Sequence, residues 1–310
     1  MRIEIVGTES LGVRSLCCVV TINDRKIVID PGVALGFRRH GLLPHPVQVV
    51  ASERTRSAIE ETLRTTTDVV ISHYHGDHSP LVDANPYQMS VEQIADSLKH
   101  PRLWTKGIQD ISLNQVHRAT ALARRLDRDF LFAEGFRDGP LSFSPPVPHG
   151  EGTGREGNVM MTRIENGSDV FVHASDIQML NDAAIEKILT WQPIIVLASG
   201  PPIYLPTITR EKKEKALHRT LQLAREVDLL ILDHHLMRSR EGEKWLDYVS
   251  SLTSHKVICA ADFMGYPRSL LEADRVLWYN KVPVPEGWHE AYARGEADTQ
   301  PYRKMSKSPL

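Results

Sequence analysis

A layered α/β fold is what this chain's pattern predicts. Three closely spaced β segments open it, strands and helices alternate from about residue 68 onward, and no Ser/Gly/Pro-rich linker divides the 310 residues. A run of strands followed by strand–helix alternation gives sheets covered by helices, because each apolar sheet face must be buried against another layer. With 41% apolar and 25% charged residues the composition is that of a globular chain, which excludes disorder and collagen-like structure. One large domain over residues 1–280 is expected, followed by a C-terminal extension, 281–310, that is rich in Pro, Gly and charge and partly flexible.

The elements follow from local pattern. Strands Arg2–Val6, Leu16–Ile22 and Lys26–Asp30 are apolar runs separated by Gly, Ser and Asn-Asp turn signals, which reads as a meander. Ser52 has the chemistry of a helix N-cap, and Ile59 and Leu63 then share a helical face. The strand Asp68–Ser72 comes next. Helical spacing places helices at Val91–Lys99, Ser112–Leu126, Ile177–Leu189, Thr209–Glu226 and Glu243–Leu252. Short apolar runs place strands at Asn158–Ile164, Asp169–Ala174, Ile194–Ala198, Leu229–Leu232 and Lys256–Cys259.

Charge and cysteine usage narrow the function classes. Residues 1–150 carry 17 basic and 17 acidic side chains and residues 151–310 carry 20 and 22, so neither half has the basic bias of a nucleic-acid binder, although a local patch stays open. The longest apolar runs, such as Pro193 to Ala198, fall far short of the roughly 20 residues a membrane span needs. The charged N-terminus lacks the apolar core of a signal peptide, and a cytoplasmic protein is expected. Cys17 and Cys18, adjacent on a strand, point to opposite faces; with Cys259 they read as buried, reduced thiols.

The segment Asp68 to His78, DVVISHYHGDH, concentrates the chemistry. An apolar strand ends at Ser72, and His73, His75, Asp77 and His78 follow at once in a short loop where Gly76 permits a sharp turn. Imidazoles and carboxylates are the donors that borderline divalent metals prefer, and a loop at a strand end can aim several at one point. The bland alternative is a polar loop with solvated histidines. Outside this segment, a lone His149 would ordinarily be a surface or core residue, and Asp176 could cap the helix after it.

The HxHxDH motif resembles that of the metallo-β-lactamase superfamily, and further segments match its order: IVIDPG with Asp30, PPVPHG with His149, FVHASD with Asp176, and LLILDHHL with His234 and His235. The resemblance spans residues 1 to about 260 and implies a four-layer αββα sandwich with mixed sheets. It implies that His73, His75 and His149 bind one metal, that Asp77 and His78 bind a second, and that Asp176 bridges the two. One histidine of the 234–235 pair completes the second site; His234 is favoured because it comes first off the strand. Asp30 supports the histidine loop from behind. Details such as SLGVRS, DPGVALG and DHHL look most like an archaeal branch of metal-dependent hydrolases, which supplies no substrate.

The implied activity is hydrolysis by two divalent ions, zinc foremost with manganese or iron as alternatives, and Asp77 as proton acceptor. The expected bond is an ester, lactone or phosphodiester in a small anionic molecule; a homo-oligomer is compatible with the sequence. His75 stands where the family's diiron oxygen-reducing members carry Glu, which argues against that chemistry. The nuclease branches add an inserted domain or an RNA-binding arm, and neither is visible, so an RNA-processing metallo-nuclease is the second reading. A non-catalytic metal-binding scaffold or sensor is the third, although a closed zinc site needs only four ligands and this chain offers at least seven. His173 reads as a core histidine or a support for Asp176. Arg38 and Arg39 read as solvated or as grips for an anionic substrate, and Tyr204 as a packing residue or an oxyanion donor.

Overall fold

The computed structural model describes residues 1–36, 38–152 and 157–306. The first sheet has six strands in sequential order: β1 (Arg2–Thr8), β2 (Leu16–Ile22), β3 (Arg25–Ile29), β4 (Asp68–Ile71), β5 (Arg102–Thr105) and β6 (Leu131–Phe132). The first three form the antiparallel meander that the turn signals predict, and β3 to β6 run parallel. Along the second half of the chain come β7 (Arg137–Asp138), β8 (Leu141–Phe143), a small ribbon of β9 (Val147–Pro148) and β10 (Asn158–Val159), and then β11 (Thr162–Asn166), β12 (Asp169–His173), β13 (Ile195–Ala198), β14 (Leu229–Leu232) and β15 (Val257–Ile258). Seven of these build the second sheet in the order β15-β14-β13-β12-β11-β8-β7, parallel from β12 to β15 and antiparallel elsewhere.

Helices cover both outer faces: α1 (Pro46–Leu63), α2 (Val91–Ile94) and α3 (Leu113–Leu126) on the first sheet, and α4 (Asp182–Thr190), α5 (Arg210–Glu226) and α6 (Arg240–Leu252) on the second. Strand alternation sorts the core into two clusters. Cys18, Val20, Ile29 and Val70 of the first sheet share a cluster with Phe171 and Ile164 of the second, and that cluster continues to Ile185, Leu223 and Leu246 of the helices beyond it. Their neighbours Cys17, Val19, Val69 and Ile71 face the other way, onto Ile59, Leu63 and Leu122. This is the four-layer αββα sandwich with two mixed sheets.

Differences from the sequence reading have local causes. Helix α1 begins at Pro46 rather than near Ser52: His45 caps it through Nδ1, which accepts from Val47 N, and Pro46 brings a preset φ and no N–H that would need a partner. The helix at Val91 stops at Ile94, one residue beyond its Ser90–Gln93 capping box. The strand expected over Asn158–Ile164 breaks at Met160, whose N–H leaves the ribbon to donate to Ser72 O at 3.0 Å. The helix after Asp176 starts only at Asp182, because Ser175 and Met179 adopt positive φ and Asn181 is its cap. Strand β5 is too short to show alternation in sequence. Beyond β15 lie α7 (Ala260–Met264), α8 (Arg275–Lys281) and α9 (Trp288–Ala293), which the sequence reading did not place.

The C-terminal extension lies against α1. Trp288 and Tyr302 are buried in the cluster of Ile59 and Leu63, and Glu53 accepts from Tyr292 and Thr299 at 3.0 and 2.6 Å. Tyr302 and Ser306 are both buried, and residues 307–310 lie outside the described residues. The histidine loop and Asp176 follow the carboxyl ends of β4 and β12, and residues 234 and 235 follow that of β14. At the opposite end of the sheets Asp68 is fully buried and accepts from Arg25 at 2.5 and 3.0 Å and from Trp104 Nε1 at 2.9 Å, while Arg25 also reaches Asp138 on β7, the edge strand of the second sheet. Removing a partner from a buried pair leaves an uncompensated charge. Asp68→Ala is expected to lower unfolding free energy by about 3 kcal/mol in urea titrations, leaving metal uptake at the far end unchanged.

Candidate metal centre

The site is built from the strand ends inward. Asp30, directly after β3, has φ of 54° and turns its carboxylate under the histidine loop. Asp30 Oδ1 accepts from Ser72 N at 2.8 Å, and Oδ2 accepts from Ser72 Oγ at 2.6 Å and pairs with His78 Nδ1 at 2.8 Å. Two residues on, Gly32 passes so close to the loop that a Cβ there would lie 2.3 Å from Ser79 N, so no other residue fits. With its Nδ1–H given to Asp30, His78 presents Nε2 to the interior, the arrangement in which a carboxylate fixes an imidazole's tautomer for a metal.

Asp176 stands at the middle, 2% exposed. Its Oδ1 lies 3.2 Å from His78 Nε2 and 3.6 Å from His234 Nε2; its Oδ2 lies 3.6 Å from His73 Nε2 and 3.1 Å from His235 Nε2. One carboxylate thus faces two groups of donors. On one side His73 Nε2 and His75 Nδ1 are 2.9 Å apart, with the His149 ring 6.1 and 5.9 Å from theirs. On the other, Asp77, His78 and His234 bring their donor atoms within 4.8 Å of one another, and His234 Nε2 is 3.3 Å from Asp77 Oδ2. His235 borders Asp176 on the open side.

Three buried polar atoms here lack a hydrogen-bond partner: His78 Nε2, His149 Nδ1 and Asp176 Oδ1. An orphaned buried polar atom is costly, so a cluster of them facing one another fits cations held between. Protonation agrees. Burial, followed by the charges of His78 and His75, holds His73 well below the ordinary imidazole range. Burial pulls His75 down to about 4, and burial with Arg238 brings His235 to about 4 and His234 well below its usual value. These four are neutral lone-pair donors at neutral pH, as metal binding requires. Against the effect of burial, Asp176 and Asp30 hold His78 well above the imidazole range. Burial also opposes ionisation of Asp77 and Asp176, but the charges of His78 and Arg238 beside Asp77, and of His78 beside Asp176, help to keep both carboxyls well below the ordinary carboxylate range.

Of the residues given a metal role from sequence, His73, His75, Asp77, His78, Asp176 and His234 bring their donor atoms together, and His149 stands beside them, lining the same cavity. His173 is a core histidine whose Nε2 meets Leu16 O at 3.0 Å. Arg38 reaches Gly41 O at 3.1 Å; Arg39 lies over the Tyr204 ring, 4.6 Å from its centroid, and pairs with Glu272 at 3.1 Å. Four residues escaped the sequence reading. Gln115 of α3 accepts from Tyr74 N and sets its amide nitrogen 3.3 Å from His75 Nε2. Asp233 accepts from Thr8 Oγ1, Ser10 N and Ala260 N, which anchors the chain at the point where His234 leaves β14. Arg238 is 6% exposed; its Nε donates to Glu9 at 2.9 Å and its Nη2 to Asp77 Oδ2 at 3.2 Å. Arg238 follows His234 by four residues, a spacing that offered a signal; Gln115, Asp233 and Glu9 offered none.

The family model of the Metallo-beta-lactamase superfamily matches residues 12–155, the stretch that holds Asp30, the histidine loop and His149. Over 302 residues the chain is 48% identical to a UPF0282 protein of Methanosarcina mazei, covering 97% of this chain and 99% of the relative. It is 38% identical over 294 residues to a UPF0282 protein of Methanopyrus kandleri, covering 89% and 98%. Among solved structures, a metal-dependent hydrolase of the beta-lactamase superfamily matches with a TM-score of 0.51 at 13% identity, over 83% of this chain and 94% of that one, a likeness of fold. The chain belongs to the UPF0282 family, within the metallo-beta-lactamase superfamily.

Proposed function

We propose that this protein is a metal-dependent hydrolase, holding two divalent ions and cleaving an ester, lactone or phosphodiester bond in a small anionic molecule. The observation that carries the reading is the set of orphaned donors around Asp176, which opens onto a cavity of about 380 Å³. His75, Asp77, His149, Asp176 and His235 line its floor. That size lies at the lower end of small-molecule sites. The donor set of neutral imidazoles and carboxylates suits zinc, with manganese or iron accommodated. His73, His75 and His149 with Asp176 Oδ2 would hold one ion, and Asp77, His78 and His234 with Asp176 Oδ1 the other. Bound there, such ions acidify water and polarise the scissile oxygen.

The remaining work falls to side chains. Asp77 borders the cavity and stays ionised, so its carboxylate is the group that takes the proton from the attacking water. Three arginines, Arg14, Arg118 and Arg238, also line the cavity. Arg14 is paired with Glu272 and Glu9, and Arg238 with Glu9 and Asp77. Arg118 donates to Tyr74 O at 3.3 Å and has no carboxylate partner among the described residues, which leaves its charge for the substrate's anionic group.

The test is a panel of phosphodiester, lactone and thioester substrates supplied with zinc, manganese or iron. Asp77→Asn is expected to cut turnover at least about 100-fold while circular dichroism is unchanged. Near-normal turnover in that variant would exclude Asp77 as proton acceptor. Cleavage of structured RNA without any small phosphodiester would replace this reading with the nuclease one, and inactivity across the whole panel would favour the scaffold. For the substrate grip, Arg118→Ala is expected to raise KM for a phosphodiester about tenfold with kcat nearly constant, and to spare a neutral ester. Equal effects on both substrates would remove Arg118 from recognition.

A further inference from the structure

The two donor groups beside Asp176 differ in one respect. Around His73, His75 and His149, none of the described hydrogen bonds or ion pairs comes from an arginine or lysine. In the other group a guanidinium is already present. Arg238 Nη2 lies 2.6 Å from His234 Nε2 and 3.2 Å from Asp77 Oδ2. A guanidinium is always a donor. His234 Nε2 therefore accepts from it, and the lone pair that a cation would need is engaged. The same nitrogen engages the Asp77 oxygen that lies nearest His234.

Arg238 is not an idle surface chain that happens to reach inward. It is 6% exposed, its Nε is anchored on Glu9 at 2.9 Å, and Nη1 reaches His235 Nδ1 at 3.5 Å. Glu9 is itself 2% exposed, and Arg39 Nη2 donates to the Arg238 carbonyl at 2.7 Å, so the side chain is held at both ends. A divalent ion among Asp77, His78 and His234 would have to break both Nη2 contacts and sit beside a fixed positive charge, whereas the position among His73, His75, His149 and Asp176 carries neither cost.

We propose that Arg238 is a built-in competitor for the second cation, taking the donors of Asp77 and His234 until that ion displaces it, so that the two positions fill in sequence. The first ion enters at the His73, His75 and His149 side. While only that ion is bound, the guanidinium supplies the positive charge on the other side of Asp176. The proposal rests on the two-ion reading above and adds an order and an owner to its second position.

The test is calorimetric titration of the full-length, chelator-stripped protein with manganese or zinc. The wild type is expected to bind two ions in separate phases, with the second at least about tenfold weaker. Arg238→Met, which keeps the bulk of the side chain, is expected to tighten the second phase about tenfold or more and leave the first in place. If the Glu9 carboxylate left behind prevents folding, the double variant Glu9→Gln/Arg238→Met keeps the charge balance and gives the same result. Two ions bound equally well by the wild type, or a gap unchanged in the folded variant, would overturn the competitor role and leave the two-ion reading standing. Absence of metal uptake would overturn both.

Discussion

The hydrogen bond between Asp30 and His78, 2.8 Å long between two side chains with no exposed surface, is the interaction on which the rest of the site depends. One carboxylate orients His78, fixes Ser72 at the end of β4 through both its backbone N–H and its hydroxyl, and so sets the start of the loop that carries His73, His75 and Asp77. Ser72 Oγ in turn meets His73 Nδ1 at 3.0 Å, so two of the loop's histidines have their outer nitrogens governed from the same point. Gly32 makes this possible by letting the backbone after Asp30 lie against His78 and Ser79. A rigid outer layer is what aims several donors at one place; without it each imidazole would have several rotamers to choose from.

Charge is managed in a second layer behind the donors. Asp30, Asp77 and Asp176 place three carboxylates in a buried space. Next to it, Arg14, Arg39, Arg238 and Arg275 surround only two carboxylates, Glu9 and Glu272, and Arg275 reaches the carbonyls of Gly36 and Leu42 and the Gln48 amide oxygen. The surplus of buried guanidinium offsets the acidic cluster through Arg238 and Asp77. Such networks are costly to desolvate and are kept where they hold a functional geometry. Here the network joins the segment between β1 and β2, the segment after β14 and the start of α8, tying the first and last thirds of the chain together beside the site.

Much of this could be read from residues alone, and the remainder has a physical reason for being hidden. The histidine loop was legible because four donors are contiguous, and the strands around it because apolar alternation marks them. Asp30, His149, Asp176 and His234 are single residues at strand ends, intelligible only in the order that a familiar fold gives them. Gln115 contacts a histidine forty positions away and Glu9 an arginine 229 positions away, distances at which no periodicity or motif speaks. Short strands such as Arg102–Thr105 are made by their parallel neighbours rather than by their own sequence. The packed extension was obscured by its Pro, Gly and charge, since its anchors, Trp288 and Tyr302, meet each other and, for Tyr302, His45 at the cap of α1, far away in sequence.

The proposed hydrolysis depends on cations held on either side of the Asp176 carboxylate. Anomalous X-ray diffraction at the zinc absorption edge, from crystals grown with zinc, tests it most directly. One strong peak is expected, bounded by His73, His75, His149 and Asp176, and a weaker one bounded by Asp77, His78, His234 and Asp176. Peaks confined to other histidines, such as His40 or His117, with none at Asp176, would contradict it.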